Sequence, residues 1–465
     1  MSTSTRRSVR PDSPVPGAQT QPRPSAGTAP RSTMLRLATA GSVDDGKSTL
    51  VGRLLYDSKV VLADQLDAVR RVSEAKGLGH VDLALLTDGL RAEREQGITI
   101  DVAYRYFATA ERTFILADCP GHVQYTRNTV TGSSTADVLV LVVDVRKGVL
   151  EQTRRHLSVG RLLRVPHIVV AVNKIDLVDY DQEAYEAVAA RARGIAESLG
   201  VPEVTTIPVS ALLGDNIVDR SERTPWYDGP SLLELLHTLQ PEERVAGRPF
   251  RFPVQLAVRP QTAAGPGFAE YRGYAGQVAS GAVHVGDEVI VLPSGRRTVV
   301  EGIDTFDGEL TRAFAPQSVT LRLADAVDVS RGDLITSATS ALEPTQDIEG
   351  TIAWLSEGPL RVGQRVLVKH TTRLVQGLVR EIKGRLDLDT LSLVASDQLA
   401  LNDIGRVALR VSSPLVVEDY GTSRSTGSFL LVDPQTGGNL AAGMVRARGS
   451  ADDLQAASDG LDWSI

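Results

Sequence analysis

The sequence predicts an α/β domain, a parallel sheet with helices on both faces, followed by two antiparallel β-barrels. Two observations carry this expectation. From Met34 to about Gln240, short apolar runs alternate with longer amphipathic ones, the pattern of a parallel sheet covered by helices. After about Arg248 the helical period stops, and short β-rich runs punctuated by Gly, Pro and Asp take over, as in antiparallel barrels.

In the first part, Leu35 to Ala40, Thr113 to Ala117, Val138 to Val143, His167 to Val172 and Thr205 to Val209 read as strands. Ser48 to Tyr56, Thr153 to Leu163 and Tyr185 to Leu199 read as helices between them. Val138 to Val143 is the longest apolar run and is followed by Asp144. It is far short of the roughly 20 residues that span a bilayer and reads as a strand buried on both faces. In the second part the strands are Phe252 to Val258, Gly273 to Val278, Glu288 to Leu292, Val319 to Leu323, Thr351 to Leu355, Gln364 to Lys369, Val407 to Val411 and Phe429 to Val432. A Ser/Thr/Pro break at Ser337 to Asp347 divides them.

The expected organisation is therefore a tail over 1–33, an α/β domain over 34–242, barrels over 248–340 and 346–446, and a tail over 447–465. The first tail is rich in Ser, Thr, Pro and Arg with a single acid, Asp12. Such a composition buries too little apolar surface to order itself.

Apolar and charged fractions of 42% and 23% sit near the averages of globular proteins. The formal charge of −7 argues against a general nucleic-acid binder. One cysteine, Cys119, excludes an intrachain disulfide and a cysteine-based metal site. It fits a reducing cytosol, so a cytoplasmic location is expected.

Gly41-Ser42-Val43-Asp44-Asp45-Gly46-Lys47-Ser48 stands between an expected strand and an expected helix, with the spacing G-x-x-x-x-G-K-S. The glycines let backbone N–H groups turn around a phosphate, and the helix N-terminus adds positive partial charge. Lys47 reaches the β and γ phosphates, and Ser48 offers a hydroxyl to Mg²⁺. It is the chain's single match, so a second nucleotide-binding domain of this type is not expected.

Asp118-Cys119-Pro120-Gly121-His122 follows the strand at Thr113. Asp118 is a candidate for the Mg²⁺ shell and Gly121 for an N–H on the γ-phosphate. Phosphoryl transfer needs an in-line water held by something, and His122 is the candidate. Upstream, Glu93 to Ile100 contains Thr99, whose hydroxyl and N–H suit Mg²⁺ and γ-phosphate in a switch that releases when the phosphate leaves.

Asn173-Lys174-Ile175-Asp176 follows the strand at His167. The Asp176 carboxylate can accept from N1–H and the 2-amino group of guanine, a donor pair adenine lacks. Ser210-Ala211-Leu212, after the next strand, would offer a backbone N–H to the guanine oxygen. Together these motifs specify a P-loop GTPase domain, with GTP and Mg²⁺ as its ligands.

Their order resembles the translational GTPases, with two barrels behind the G domain as in elongation factor Tu. A closer resemblance is to the GTPase subunit (subunit 1, the large subunit) of bacterial sulfate adenylyltransferase. It is carried by Gly41 to Leu55, Asp82 to Leu86, Gln96 to Phe107, His122 to Asn128, Arg146 to Val149 and Pro225 to Pro230. In the first barrel it is carried by Tyr271 to Gly276, Leu292 to Gly295 and Ser330 to Asp333. Asp45 stands where elongation factors usually place His, which favours the sulfurylase branch. Pro260 to Glu270 is longer and richer in Gly and Ala than the family leads one to expect.

The resemblance implies nucleotide contacts from Asp44 to Thr49, Asp118, Asn173, Lys174 and Asp176, with His122 orienting water and Thr99 on Mg²⁺. It also implies a partner, the catalytic subunit (subunit 2), in a heterodimer or an assembly of heterodimers. That partner would join ATP and sulfate into adenosine 5′-phosphosulfate and pyrophosphate, the first step of sulfate assimilation, driven by GTP hydrolysis here. The competing expectation is an elongation factor delivering aminoacyl-tRNA, whose barrels would present a basic groove to RNA.

Overall fold

The structure, a computed structural model, describes residues 34–58, 63–75, 81, 83–86, 102–121, 126–201, 203–241, 247–260, 270–387 and 392–446. The expected tails, the Glu93 to Ile100 segment with Thr99, and His122 lie outside the described residues, as does most of Pro260 to Glu270.

The first part is an α/β layer structure. Its strands are β1 (Met34–Gly41), β2 (Ala103–Ala108), β3 (Thr113–Asp118), β4 (Val138–Asp144), β5 (His167–Asn173) and β6 (Val204–Pro208), in the spatial order β2-β3-β1-β4-β5-β6. The helices are α1 (Lys47–Asp57), α2 (Ala63–Ala75), α3 (Thr126–Ser133), α4 (Glu151–Leu162), α5 (Gln182–Ser198) and α6 (Leu232–Thr238). All seven residues of β4 are buried, because helices cover both faces of a central parallel strand. Its neighbours β1 and β5 run parallel to it, with Ala38 opposite Leu139 and Val142 opposite Ala171.

The five strands β1, β3, β4, β5 and β6 are parallel, as expected, and one edge strand makes the sheet mixed. β2 pairs antiparallel with β3, Tyr106 opposite Ile115. It is an edge strand joined to β3 by a short turn in which the Thr109 N–H donates to the Arg112 carbonyl. With one face towards solvent it alternates buried and exposed side chains, so it lacks the continuous apolar run of its neighbours.

Local chemistry sets the helix starts. The Asp181 carboxylate accepts from the Glu183 and Ala184 N–H groups at the start of α5. Ser231 and Glu234 cap each other's backbone N–H at the start of α6. Each such cap contributes about 1 kcal/mol.

The second part contains two barrel units, each a closed sheet beside a separate two-stranded ladder. The first comprises β7 (Arg251–Val258), β8 (Gly273–Gln277), β9 (Ala282–His284), β10 (Glu288–Leu292), β11 (Arg296–Thr305), β12 (Gly308–Leu310), β13 (Arg312–Phe314), β14 (Ser318–Leu323) and β15 (Leu334–Ser337). Its order β10-β15-β7-β8-β14-β11 closes through a β10–β11 pairing. The second comprises β16 (Thr345–Trp354), β17 (Leu360–Arg361), β18 (Arg365–His370), β19 (Arg373–Leu386), β20 (Leu393–Val394), β21 (Gln398–Leu399), β22 (Ile404–Leu415), β23 (Ser428–Val432) and β24 (Asn439–Val445). Its order β18-β23-β24-β16-β22-β19 closes through β18–β19. Every strand is antiparallel to its neighbours in both barrels.

The second barrel touches both other units. Tyr420 donates its hydroxyl to the Leu163 carbonyl at 3.0 Å, and Arg424 donates to the Ser134 and Ala136 carbonyls at 2.6 and 3.4 Å. Between the barrels, Arg251 forks onto Glu418 with two bonds of 3.0 and 2.9 Å; Arg251 is buried and Glu418 nearly so. Removing one member strands the other as an uncompensated buried charge. Arg251→Met should therefore lower unfolding free energy by about 3–5 kcal/mol, while Arg251→Met/Glu418→Gln loses less. Urea unfolding of the three proteins checks this, and a double variant as unstable as the single one overturns it.

Candidate functional site

The loops after β1, β3, β4, β5 and β6 converge at the carboxyl edge of the sheet. Strand order reverses around β1, and that is where α/β sheets bind ligands. The loop after β1 is built as a phosphate cradle. Gly41 and Gly46 have φ of 151° and 91°. A Cβ at Gly41 would strike the Val142 carbonyl, and one at Gly46 would strike the Asn173 amide. Only glycine lets this loop press so closely on β4 and β5.

Lys47, first residue of α1, is buried, and its ammonium donates to the Ser42 carbonyl at 2.7 Å. Burial pushes its pKa down, against the attraction of Asp118 and Asp45. Ser48 and Thr49 follow in the same turn, half-buried. Asp118 ends β3 and is buried, with its Oδ1 accepting from the Thr39 hydroxyl at 2.8 Å. Gly121 lies over Lys47 so closely that a Cβ there would meet its Nζ. Cys119 is buried beside it, its thiol pushed up by burial, which makes it an inert packing residue. Pro120 accepts a hydrogen bond from Thr129 through its carbonyl at 3.4 Å.

Asn173 joins three loops. Its Nδ2 donates to the Asp45 carbonyl at 2.8 Å, and its Oδ1 accepts from the Ala211 N–H at 2.9 Å. The Ala211 N–H is thus engaged with protein and is not free for a base carbonyl. Lys174 has φ of 65°, and its ammonium reaches the Asp44 carbonyl and, at 3.0 Å, the Asp144 carboxylate. Asp176 lies half-buried in the 3-10 turn Ile175–Val178. Ser210 is buried, and its hydroxyl accepts from the Leu213 N–H at 3.2 Å. The Leu212 carbonyl accepts from Arg53. The structure therefore brings together the sequence-derived residues of the loops after β1, β3, β5 and β6.

Sequence reasoning gave no role to the loop after β4. Asp144 is fully buried, and its carboxylate binds the Arg146 guanidinium at 2.7 and 3.1 Å as well as Lys174. Burial alone would raise its pKa, but these hydrogen bonds outweigh it and hold the carboxyl well below the usual range. Lys147 donates to the Val43 carbonyl at 3.3 Å. The available signal was two consecutive cations, Arg146 and Lys147, one residue beyond the terminal acid of a buried strand.

The donor set suits both expected ligands. Asp118 and Ser48 present hard oxygens at one loop cluster, the kind Mg²⁺ takes. Among the described residues no group of three or more His, Cys, Asp or Glu side chains could hold a metal ion. No helix among them is long and apolar enough to cross a membrane.

This combination of fold and phosphate loop defines a GTP-binding protein of the elongation factor Tu type. The elongation factor Tu GTP binding domain family matches residues 32–242, and the GTP-eEF1A C-terminal domain-like family matches residues 347–446. The chain is 51% identical over 89% of its length to a "Bifunctional enzyme CysN/CysC" of Mycobacterium tuberculosis, and spans 67% of that longer protein. It is 48% identical to a "Sulfate adenylyltransferase subunit 1" of Bacteroides fragilis, covering 92% of this chain and 88% of that one. A third relative, of the same name from Saccharophagus degradans, is 47% identical over 89% of this chain and 86% of its own. The chain belongs to the sulfate adenylyltransferase subunit 1 family, within the elongation factor Tu-like GTPases.

Behind the site, His156 of α4 is fully buried. Its Nε2 lies 3.1 Å from the Gln152 amide nitrogen, while its Nδ1 has no hydrogen-bond partner among the described residues. Burial, aided by Lys47 and Arg155, pushes its pKa down to about 3. The unfolded chain binds this proton near pH 6.5 and the folded chain does not, so its contribution is complete above about 6.5. It fades as pH falls towards the folded value, at up to about 1.4 kcal/mol per pH unit. The urea midpoint should thus drop more between pH 7.5 and 5 in the parent than in His156→Gln. Equal drops in the two proteins would refute the assignment.

Proposed function

We propose that this chain is the GTP-hydrolysing subunit of a sulfate adenylyltransferase, which couples GTP cleavage to a reaction on a partner catalytic subunit. The observation that carries the reading is family membership at 47–51% identity, with the phosphate loop, Asp118 and Asn173-Lys174-Ile175-Asp176 at one sheet edge.

In this reading Gly41 to Thr49 cradles the phosphates with backbone N–H groups, and Lys47 turns from the Ser42 carbonyl onto the β and γ phosphates. Ser48, Thr99 and Asp118 would hold Mg²⁺, which when bound neutralises phosphate charge. The Gly121 N–H meets the γ-phosphate, and its nearness to Lys47 supports this. His122 orients the water. Water attacks the γ-phosphorus, the bond to the β–γ bridging oxygen breaks, and GDP and phosphate leave. Asp176 accepts from guanine, while Asn173 and Lys174 hold the loops in register around it. Because Ala211 N–H is engaged with Asn173, Leu212 is the better donor to the guanine oxygen.

The partner would join ATP and sulfate, releasing pyrophosphate as adenosine 5′-phosphosulfate forms. That anhydride is strongly uphill, so a coupled hydrolysis gives the reaction its direction. The same chemistry gives a cytoplasmic enzyme of sulfate assimilation. The identities above favour it over aminoacyl-tRNA delivery.

Asp176→Asn should move preference from guanine towards xanthine nucleotides by at least about 100-fold, less than the roughly 10⁴–10⁵ of a fully buried base-specific site because Asp176 is half-buried. Competition binding of GTP and xanthosine triphosphate checks it, and an unchanged preference removes Asp176 from the base site. With the partner subunit, ATP and sulfate, pyrophosphate release should require hydrolysable GTP. Release that is indifferent to GTP would overturn the coupling.

A further inference from the structure

The phosphate loop contains an electrostatic problem of its own. Of its two acids, Asp44 is exposed, but Asp45 is buried inside a loop that must receive a polyphosphate. One Asp45 oxygen accepts from the Ser42 N–H at 2.9 Å. The other, Oδ1, is buried with no hydrogen-bond partner among the described residues. Its nearest ionic partner is the Lys147 ammonium at 3.8 Å.

The charges facing Asp45 are Lys47 on its own loop, with Lys147 and Asp144 from the loop after β4. From β5 comes only the neutral Asn173 amide, on the Asp45 carbonyl. Arg146 is bound to Asp144 through both carboxylate oxygens. Lys174 is divided between Asp144 and the Asp44 carbonyl. Lys47 also faces Asp45, but a phosphate-loop lysine turns to the nucleotide when phosphates arrive. That leaves Lys147 as the cation still facing Asp45 among the described residues. It is well placed to stay there. The Lys147 and Gly148 N–H groups both close onto the Asp144 carbonyl, at 3.0 and 2.9 Å. Gly148, at φ 66°, permits the turn. The Lys147 ammonium is also seated on the Val43 carbonyl.

We infer that Lys147 is a positioning residue of the phosphate loop: by neutralising Asp45 and holding the Val43 carbonyl, it keeps the loop receptive to a nucleoside polyphosphate. This rests on the phosphate-loop reading proposed above. It gives a task to Arg146-Lys147-Gly148, a segment that the nucleotide motifs alone leave without one. Lys147 is exposed and lies on the surface end of a turn, so its replacement does not threaten the core.

The test is titration of the full-length chain with GDP. Lys147→Met retains the length and apolar stem of lysine but not its charge, and should weaken GDP binding by about tenfold or more. Lys147→Arg should stay within about threefold of the parent. Adding Asp45→Asn to Lys147→Met should recover most of the loss, which a packing role for Lys147 does not predict. Parent-like affinity in Lys147→Met, or no recovery in the double variant, would overturn the inference. Lys47→Met separates the two readings. If it binds GDP normally, the phosphate-loop reading itself fails. If it loses GDP while Lys147→Met does not, the inference about Lys147 fails alone.

Discussion

The site depends on one side chain that touches no solvent. The Asn173 amide spans the Asp45 carbonyl and the Ala211 N–H, fixing the phosphate loop and the loop after β6 to the end of β5. All three groups are buried, so loss of the amide would leave a donor and an acceptor unpaired where each costs about 1–3 kcal/mol. Asn173 can hold that position because β5 is locked between β4 and β6 by parallel pairing along its length. The apolar interior of the sheet thereby sets the spacing of polar loops that otherwise have little in common.

A second layer of organisation is electrostatic. Lys174 and Lys147 each place an ammonium on a carbonyl of the phosphate loop, Asp44 and Val43 respectively. Each also faces a buried carboxylate, Asp144 or Asp45. Carbonyls held by cations cannot turn inward, which favours the inward-pointing N–H groups that an anion requires. The buried acids are thus part of the same device as the lysines.

Much of this was legible in the sequence, for physical reasons. Central strands such as β4 and β5 are continuous apolar runs because both faces are covered. The phosphate loop is readable because glycine, lysine and serine are each fixed at their spacing by backbone geometry and charge. β2 was not readable, since its outward Tyr104 and Tyr106 are exposed at 47% and 68% and blur the pattern of a buried strand. β19 was missed because its fourteen residues alternate faces, with bulges at Val379/Glu381 and Ile382/Gly384 that break the period. Lys147 was quoted only for its likeness to a family. Its contact with Val43 crosses 104 positions of chain, and no local pattern encodes such a distance. Nor did the motif around Ala211 reveal that Asn173 already occupies its N–H.

The grip of Arg424 on the Ser134 and Ala136 carbonyls has a mechanical consequence. These two carbonyls lie just past the carboxyl end of α3. The second barrel therefore fastens one end of a short rod that also bonds the Pro120 carbonyl through Thr129. The rod cannot slide along its axis without breaking these two charge-assisted bonds. Through an eight-residue helix the barrel is thereby tied to the loop that carries Asp118 and Gly121.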